Sequence, residues 1–408
     1  MARVTSGKAA TAPFSPHIHG PKSVHSLMWD VVIALTPAIF ASIYFFGNNS
    51  IRILAISIIT ALVTELVMNI IMKRRITIFD GSAFITAILF AFNLPPSAPW
   101  YVVVGGSAFA IGIVKMAFGG LGYNILNPAL GGRIFVMAAW STAMVNRWSP
   151  TIRSLISRGD SFADASQKVV NAFPPEVISE TVFITNETTG IISESISFSN
   201  NVVDMVSSAS PLNSLKDLYS SAGVAVTNIS EGVTNITEAI GTGAFANMRE
   251  TFSYWDMFIG NIPGCIGETS ALALLIGFVY LCIRKVIVPI IPLVYIATVA
   301  LLAWVFGGLP LGGGLFSGDA LYHILSGGLL LGAIFMATDY VTSPMSIKGS
   351  IIFAMCLGIL TIIIRLWGGY PEGVSYSIVL MNIFVPIIDR YIKPKIYGRR
   401  NPKTEGAK

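Results

Sequence analysis

Asp80-Gly81-Ser82-Ala83-Phe84-Ile85-Thr86-Ala87-Ile88-Leu89-Phe90-Ala91-Phe92-Asn93-Leu94-Pro95-Pro96 is the stretch on which the reading of this chain turns. It is as apolar as a membrane helix but too short to be a whole one, because a helix needs about 20 apolar residues to cross a bilayer. A carboxylate stands before it and Asn-Leu-Pro-Pro stops it. It therefore reads as a partial or broken helix, a form tolerated at membrane depth only beside a protein-lined cavity.

The rest of the chain puts this half-helix among full ones. Over 408 residues, 53% are hydrophobic, 12% are charged and the mean hydropathy is +0.71. That composition belongs to an integral membrane protein, and closing every backbone hydrogen bond internally makes helices the natural spans. Spans are expected near 28–47, 51–72, 80–94, 99–118, 124–145, 259–283, 286–306, 321–338, 349–366 and 373–390. The expected fold is thus an all-α polytopic membrane protein of about ten transmembrane helices. Its segments are a cytoplasmic N-terminal stretch 1–27, a first five-helix half 28–145, a polar loop 146–258, a second five-helix half 259–390 and a basic tail 391–408. Residues 1–26 hold no hydrophobic stretch, so no cleaved signal peptide is expected.

Basic residues orient the bundle, since retained loops carry the Lys/Arg excess. Arg3, Lys8, Lys22, Lys73-Arg74-Arg75, Lys115, Arg284-Lys285, Lys348 and the tail from Arg390 to Lys408 fall on one side. Both termini are therefore expected in the cytoplasm and the 146–258 loop outside it. The net charge of +5 comes largely from Arg390, Lys393, Lys395, Arg399 and Arg400. A cluster directly after a span is an orientation signal that also meets anionic lipid, so the bilayer, and not nucleic acid, is the expected partner.

Five spans on each side of one loop suggest two inverted repeats, because an odd number per half inserts the second half upside down. Asp80-Gly81-Ser82-Ala83 is echoed by Glu268-Thr269-Ser270-Ala271, and Gly132-Arg133-Ile134-Phe135 by Gly332-Ala333-Ile334-Phe335. Such repeats place a site near the midplane where discontinuous helices meet. Asp80 and Glu268 suit capping of exposed N–H groups at the positive end of a helix dipole. They suit ion passage or cofactor contact equally well. Cys265, Cys282 and Cys356 show no C-x-x-C spacing and the four histidines no metal spacing, so buried thiols are expected and no metal site. The Gly-Gly pairs at 105–106, 119–120, 131–132 and 327–328 stand in no P-loop or dinucleotide fingerprint.

Ser15-Pro16-His17-Ile18-His19, the Asp80 to Pro96 stretch, Gly119-Gly120-Leu121-Gly122-Tyr123-Asn124 and Asn127-Pro128-Ala129 occur together with Gly267-Glu268-Thr269-Ser270, Met336-Ala337-Thr338-Asp339, Thr342-Ser343-Pro344 and Tyr370-Pro371-Glu372-Gly373-Val374. In this combination the chain resembles the D subunit of the Rnf complex, the ion-translocating ferredoxin:NAD+ oxidoreductase, over nearly its whole membrane portion. The sister family, the B subunit of the Na+-translocating NADH:quinone reductase, is the close alternative, but its usual N-terminal extension is absent.

The resemblance implies a membrane flavoprotein with two flavins. In the family, a hydroxyl closing a motif like Asp-x-x-Ser/Thr-Gly/Ser-Ala-Thr carries FMN through a phosphoester, installed by a flavin transferase from FAD. The matching run is Asp204-Met205-Val206-Ser207-Ser208-Ala209-Ser210. Ser210 stands where threonine is usual, and a serine hydroxyl forms the same ester; Ser207, Ser208 and Ala209 are the small neighbours that give an enzyme access.

A second, non-covalent flavin, riboflavin, is implied between the membrane helices. Asn127, Glu268, Thr269, Ser270 and Asp339 are candidates to line its cavity, since polar groups in a bilayer face the bundle interior; helix capping is the alternative for each. The implied activity is electron relay coupled to Na+ or H+ transport in the prokaryotic inner membrane, in a multisubunit enzyme. No residue of this chain is expected to catalyse substrate chemistry, and NAD+ is expected to bind elsewhere. The implied partners are the other Rnf subunits, above all the extracytoplasmic FMN-bearing G subunit and the membrane-embedded A and E subunits. A channel or secondary transporter without flavin also suits five-plus-five repeats, but it has no use for the 204–210 run. A scaffold that has lost its flavin is the third reading.

Overall fold

The computed structural model describes residues 23–145, 183–185, 192–194, 210–212, 214–216, 252–311, 314–369 and 372–392. The terminal segments and most of the 146–258 loop, with Asp204, Ser207, Ser208 and Ala209, lie outside the described residues.

Among the described residues, six helices are long and apolar enough to cross a membrane: α1 (Val24–Phe46), α2 (Asn48–Ile71), α4 (Trp100–Ala117), α9 (Ile290–Leu311), α12 (Ile347–Trp367) and α13 (Val374–Tyr391). The other four expected spans are short or broken. α3 covers Ser82–Phe92, α5 Pro128–Ala139 and α8 Ala271–Ile283. The expected span 321–338 is two pieces, α10 (Ala320–Leu325) and α11 (Leu329–Leu331), the latter continuing as a π-helical turn over Gly332–Met336. Two short helices, α6 (Ser141–Val145) and α7 (Tyr254–Ile259), flank the loop. Within the loop, β1 (Phe183–Thr185) pairs antiparallel with β2 (Ile192–Glu194), a small departure from the all-α expectation.

The short helices begin where side chains satisfy their first N–H groups. At α3, Asp80 Oδ1 accepts from Ser82 N at 2.8 Å and from its Oγ at 2.6 Å, and Gly81 makes the turn at φ +83°. Asn127 accepts from Ala129 N at 3.1 Å to cap α5, and Ser270 accepts from Ala273 N at 3.3 Å to cap α8. Asn127 and Ser270 are N-caps in the ordinary sense, while Asp80 stands one residue before the N-cap position at Gly81.

The chain satisfies its non-helical backbone internally, as a bilayer demands. The α3 stop and the approach to α8 meet each other, with Ile266 N donating to Leu94 O and Gly267 N to Phe92 O, both at 3.0 Å. A side chain at 267 would collide with the Phe92 ring, so this crossing needs glycine. Across the halves, α1 packs on α8 and α5 on α13; within them, α2 packs on α3 and α4, and α9 on α12. Small polar residues face inward, as where Ser57 Oγ donates to Ala87 O at 2.8 Å and Tyr295, Thr361 and Ser377 share hydroxyl contacts. Phe40, Ile59, Ile70 and Leu293 point outward, as a lipid-facing surface requires.

Candidate functional site

Among the described residues, two cavities lie between the helices, and each is lined by a buried, ion-paired cation. The first is walled by apolar residues such as Val31, Ile85 and Phe335 and carries Lys115, Asn127 and Asp339 on its lining. The second is lined by Ser210, Arg133, Glu268, Thr269, Cys265 and Glu372 among others. Lys115 of α4, paired with Glu65 of α2, lines the first, and Gly327 at the α10–α11 break lines the second.

In the first cavity, Lys115 Nζ donates to Glu65 Oε1 at 2.8 Å and to Ser82 Oγ at 2.6 Å. Glu65 Oε1 also accepts from Thr77 Oγ1 at 2.9 Å. The sequence alone groups Lys115 with the solvated orienting charges, but the residue is buried at 2% exposure on the π-helical segment of α4. The reason is its position: a π-helical turn carries it inward to Glu65 and Ser82, and a cation inside a bilayer is tolerated only when so paired. Asn127, besides capping α5, donates through Nδ2 to Met336 O at 3.3 Å. Asp339 accepts from Thr342 Oγ1 at 3.2 Å and Val341 N at 3.4 Å.

The second cavity is built around one guanidinium. Arg133, on α5, donates from Nη1 to Asn93 Oδ1 at 2.5 Å and to Glu268 Oε1 at 3.1 Å. Its Nη2 pairs with Glu372 Oε2 and lies 4.0 Å from Cys265 Sγ. Its Nε is buried and has no hydrogen-bond partner among the described residues. The two carboxylates converge on one backbone position. Glu372 Oε1 accepts from Gly328 N at 3.0 Å, and a Cβ at 328 would sit 2.6 Å from Glu372 Oε1 and 2.7 Å from Glu268 Oε1. A second cation, Arg365, donates to His323 O at 2.6 Å and Ser326 O at 3.2 Å, bracing the α10–α11 break.

The Ser210 segment is seated against this region. Tyr322 Oη donates to Pro211 O at 2.9 Å, and Lys216 Nζ donates to Arg365 O at 3.3 Å. Partial burial lowers the Lys216 ammonium pKa. Ser214 N donates to Ser210 O at 2.9 Å, making a first helical turn, while Leu212 is buried. The structure thus divides the expected polar set. Glu268 and Thr269 join Ser210 in one cavity, Asn127 and Asp339 line the other, and Ser270 lines neither and caps α8. Asp80 and Glu268, an echo in sequence, do different work, since Asp80 caps its helix and Glu268 pairs with Arg133.

Of these site residues, the sequence alone leaves Glu65 and Arg365 unremarked, and it offers Lys115 only as an orienting charge and Arg133 only in the internal echo. The signal is present: each is a charge inside an apolar run, and such residues mark function or tight pairing.

A model of the NQR2, RnfD, RnfE family matches residues 11–398. The chain is 39% identical over 391 residues to the D subunit of the proton-translocating ferredoxin:NAD(+) oxidoreductase complex of Clostridium ljungdahlii, covering 96% of each chain. It is 38% identical over 397 residues to the D subunit of the Na(+)-translocating ferredoxin:NAD(+) oxidoreductase complex of Acetobacterium woodii, covering 97% of each. It is also 33% identical to the D subunit of the ion-translocating oxidoreductase complex of Sodalis glossinidius, with 95% of this chain and 98% of the relative aligned.

Proposed function

Because this chain belongs to the NQR2, RnfD, RnfE family, we propose that it is the membrane flavoprotein of the D type in an ion-translocating ferredoxin:NAD+ oxidoreductase. It relays electrons through covalent FMN and a membrane-bound riboflavin, coupled to Na+ or H+ transport. Relatives named as D subunits that align over almost their whole length favour this over the B subunit of the NADH:quinone reductase. The reading includes two inverted five-helix repeats in the inner membrane, both termini cytoplasmic, and the 146–258 loop outside, facing the G subunit, with the A and E subunits alongside.

The observation that carries the reading is the position of Ser210, a hydroxyl held in a cavity whose cation, Arg133, keeps one N–H donor unmade. That donor set fits a phosphoester. Ser210 Oγ would replace AMP on the flavin-side phosphorus of FAD, one P–O bond forming as another breaks, with the hydroxyl proton leaving. The first cavity fits a riboflavin ring, with Asn127 and Asp339 for its polar edge and Val31, Ile85 and Phe335 for its apolar edge. Flavins, when bound, supply one- or two-electron carriage, while the protein sets orientation and electrostatics. The residues of this chain hold, orient and exclude water.

Co-expression with a flavin transferase, followed by in-gel flavin fluorescence, tests the reading. A fluorescent band in the parent chain that is lost in Ser210→Ala is the expected result. No fluorescence in the parent, with the transferase active on a control substrate, overturns covalent attachment, and fluorescence that survives the substitution moves it to another hydroxyl.

A further inference from the structure

We infer that Arg133 is the phosphate-holding residue for the flavin nucleotide on Ser210. The inference rests on the Ser210 reading and assigns the residues that receive the linkage.

A guanidinium presents five N–H donors in a fixed fork. Asn93 and Glu268 take Nη1 and Glu372 takes Nη2, leaving the Nε edge without an acceptor among the described residues. The side chain is 5% exposed, so water does not readily make up the loss. A buried donor left unmade is destabilising. Arg133 and Ser210 line the same cavity, so an anion carried on Ser210 enters beside this guanidinium.

Arginine binds phosphate best through two parallel N–H bonds, and Nε with Nη2 is the pair on the unfilled side. Nη2 carries two hydrogens, so a phosphate oxygen can take one while Glu372 keeps the other. Glu372 also accepts from Gly328 N–H, and Glu268 stays on Nη1 as the positioning carboxylate.

Phosphorus-31 NMR of the detergent-purified, flavinylated chain tests this without turnover. The resonance of the Ser210 phosphodiester is compared with that of the flavopeptide released by protease. A displaced resonance in the folded chain is expected. It should return toward the flavopeptide value in Arg133→Lys, which keeps the charge but lacks Nε, and stay displaced in Glu372→Gln. In-gel fluorescence reports in parallel that the ester is present in each. A folded-chain resonance equal to that of the flavopeptide, or one unmoved by Arg133→Lys, overturns the assignment while leaving Ser210 attachment intact. If Arg133→Lys does not fold, the comparison of parent with flavopeptide decides alone. Absence of covalent flavin from the parent overturns the Ser210 reading and this inference together.

Discussion

The Lys115 and Arg133 clusters are both built from buried charge and leave opposite remainders. Lys115 is a compact point charge, and one carboxylate oxygen with one hydroxyl engages it; what remains is an acceptor, Glu65 Oε2, buried with no partner among the described residues. Arg133 is a planar fork held by two carboxylates and an amide, and what remains is a donor, Nε. The comparison teaches that the shape of the cation, and not only its charge, decides which sign of visitor a buried pair can still receive.

The largest expected effect separates the clusters by their number of carboxylates. Removing one partner from a buried ion pair costs about 3–5 kcal/mol. Arg133→Ala, which strands two carboxylates, should lower the unfolding midpoint in detergent more than Lys115→Ala, which strands one. Equal losses would break the comparison.

Next come the paired replacements, since apolar substitution of a whole ion pair is often neutral or stabilising by about 1–4 kcal/mol. Lys115→Met with Glu65→Met should recover most of the stability lost by Lys115→Ala. Arg133→Met with Glu268→Gln should not recover in the same way, because Glu372 stays charged; thermal unfolding of both double variants reads this directly. A smaller change sharpens the second cluster alone. Gly328→Ala places a methyl between Glu268 and Glu372 and should cost about 1–3 kcal/mol, the usual range for overpacking, again seen as a lower midpoint. Smallest is Tyr322→Phe. It removes the hydrogen bond to Pro211 O, worth about 1 kcal/mol, and should speed amide exchange at 212–216 while leaving α9 and α12 unchanged.

Much of this architecture can be read from residues whose chemistry is local. Asn93-Leu94-Pro95-Pro96 ends α3 where its prolines forbid continuation, and Asp80 caps the start of the same helix at Ser82. What depends on contacts between distant segments is harder to read. The 260–270 approach to α8 looks apolar enough to be helix, but it runs against the α3 stop, and its backbone bonds to Phe92 and Leu94 cannot be seen in either segment alone. The break at Ser326–Gly328 escapes for the same reason: two carboxylates and Arg365 crowd that backbone from distant segments. Lys115 reads as an orienting charge because it stands near the end of an apolar run, four residues before Gly119-Gly120, while its partner Glu65 lies 50 positions away.

Ser210 is only 9% exposed, with Leu212 tucked under it and Tyr322 fastening Pro211. An enzyme needs its target residue in hand, so nothing can be written onto this serine once the segment has closed. On the proposed attachment, maturation then has a sequence in time: modification comes first and docking second, and a chain that closes early would lack its flavin.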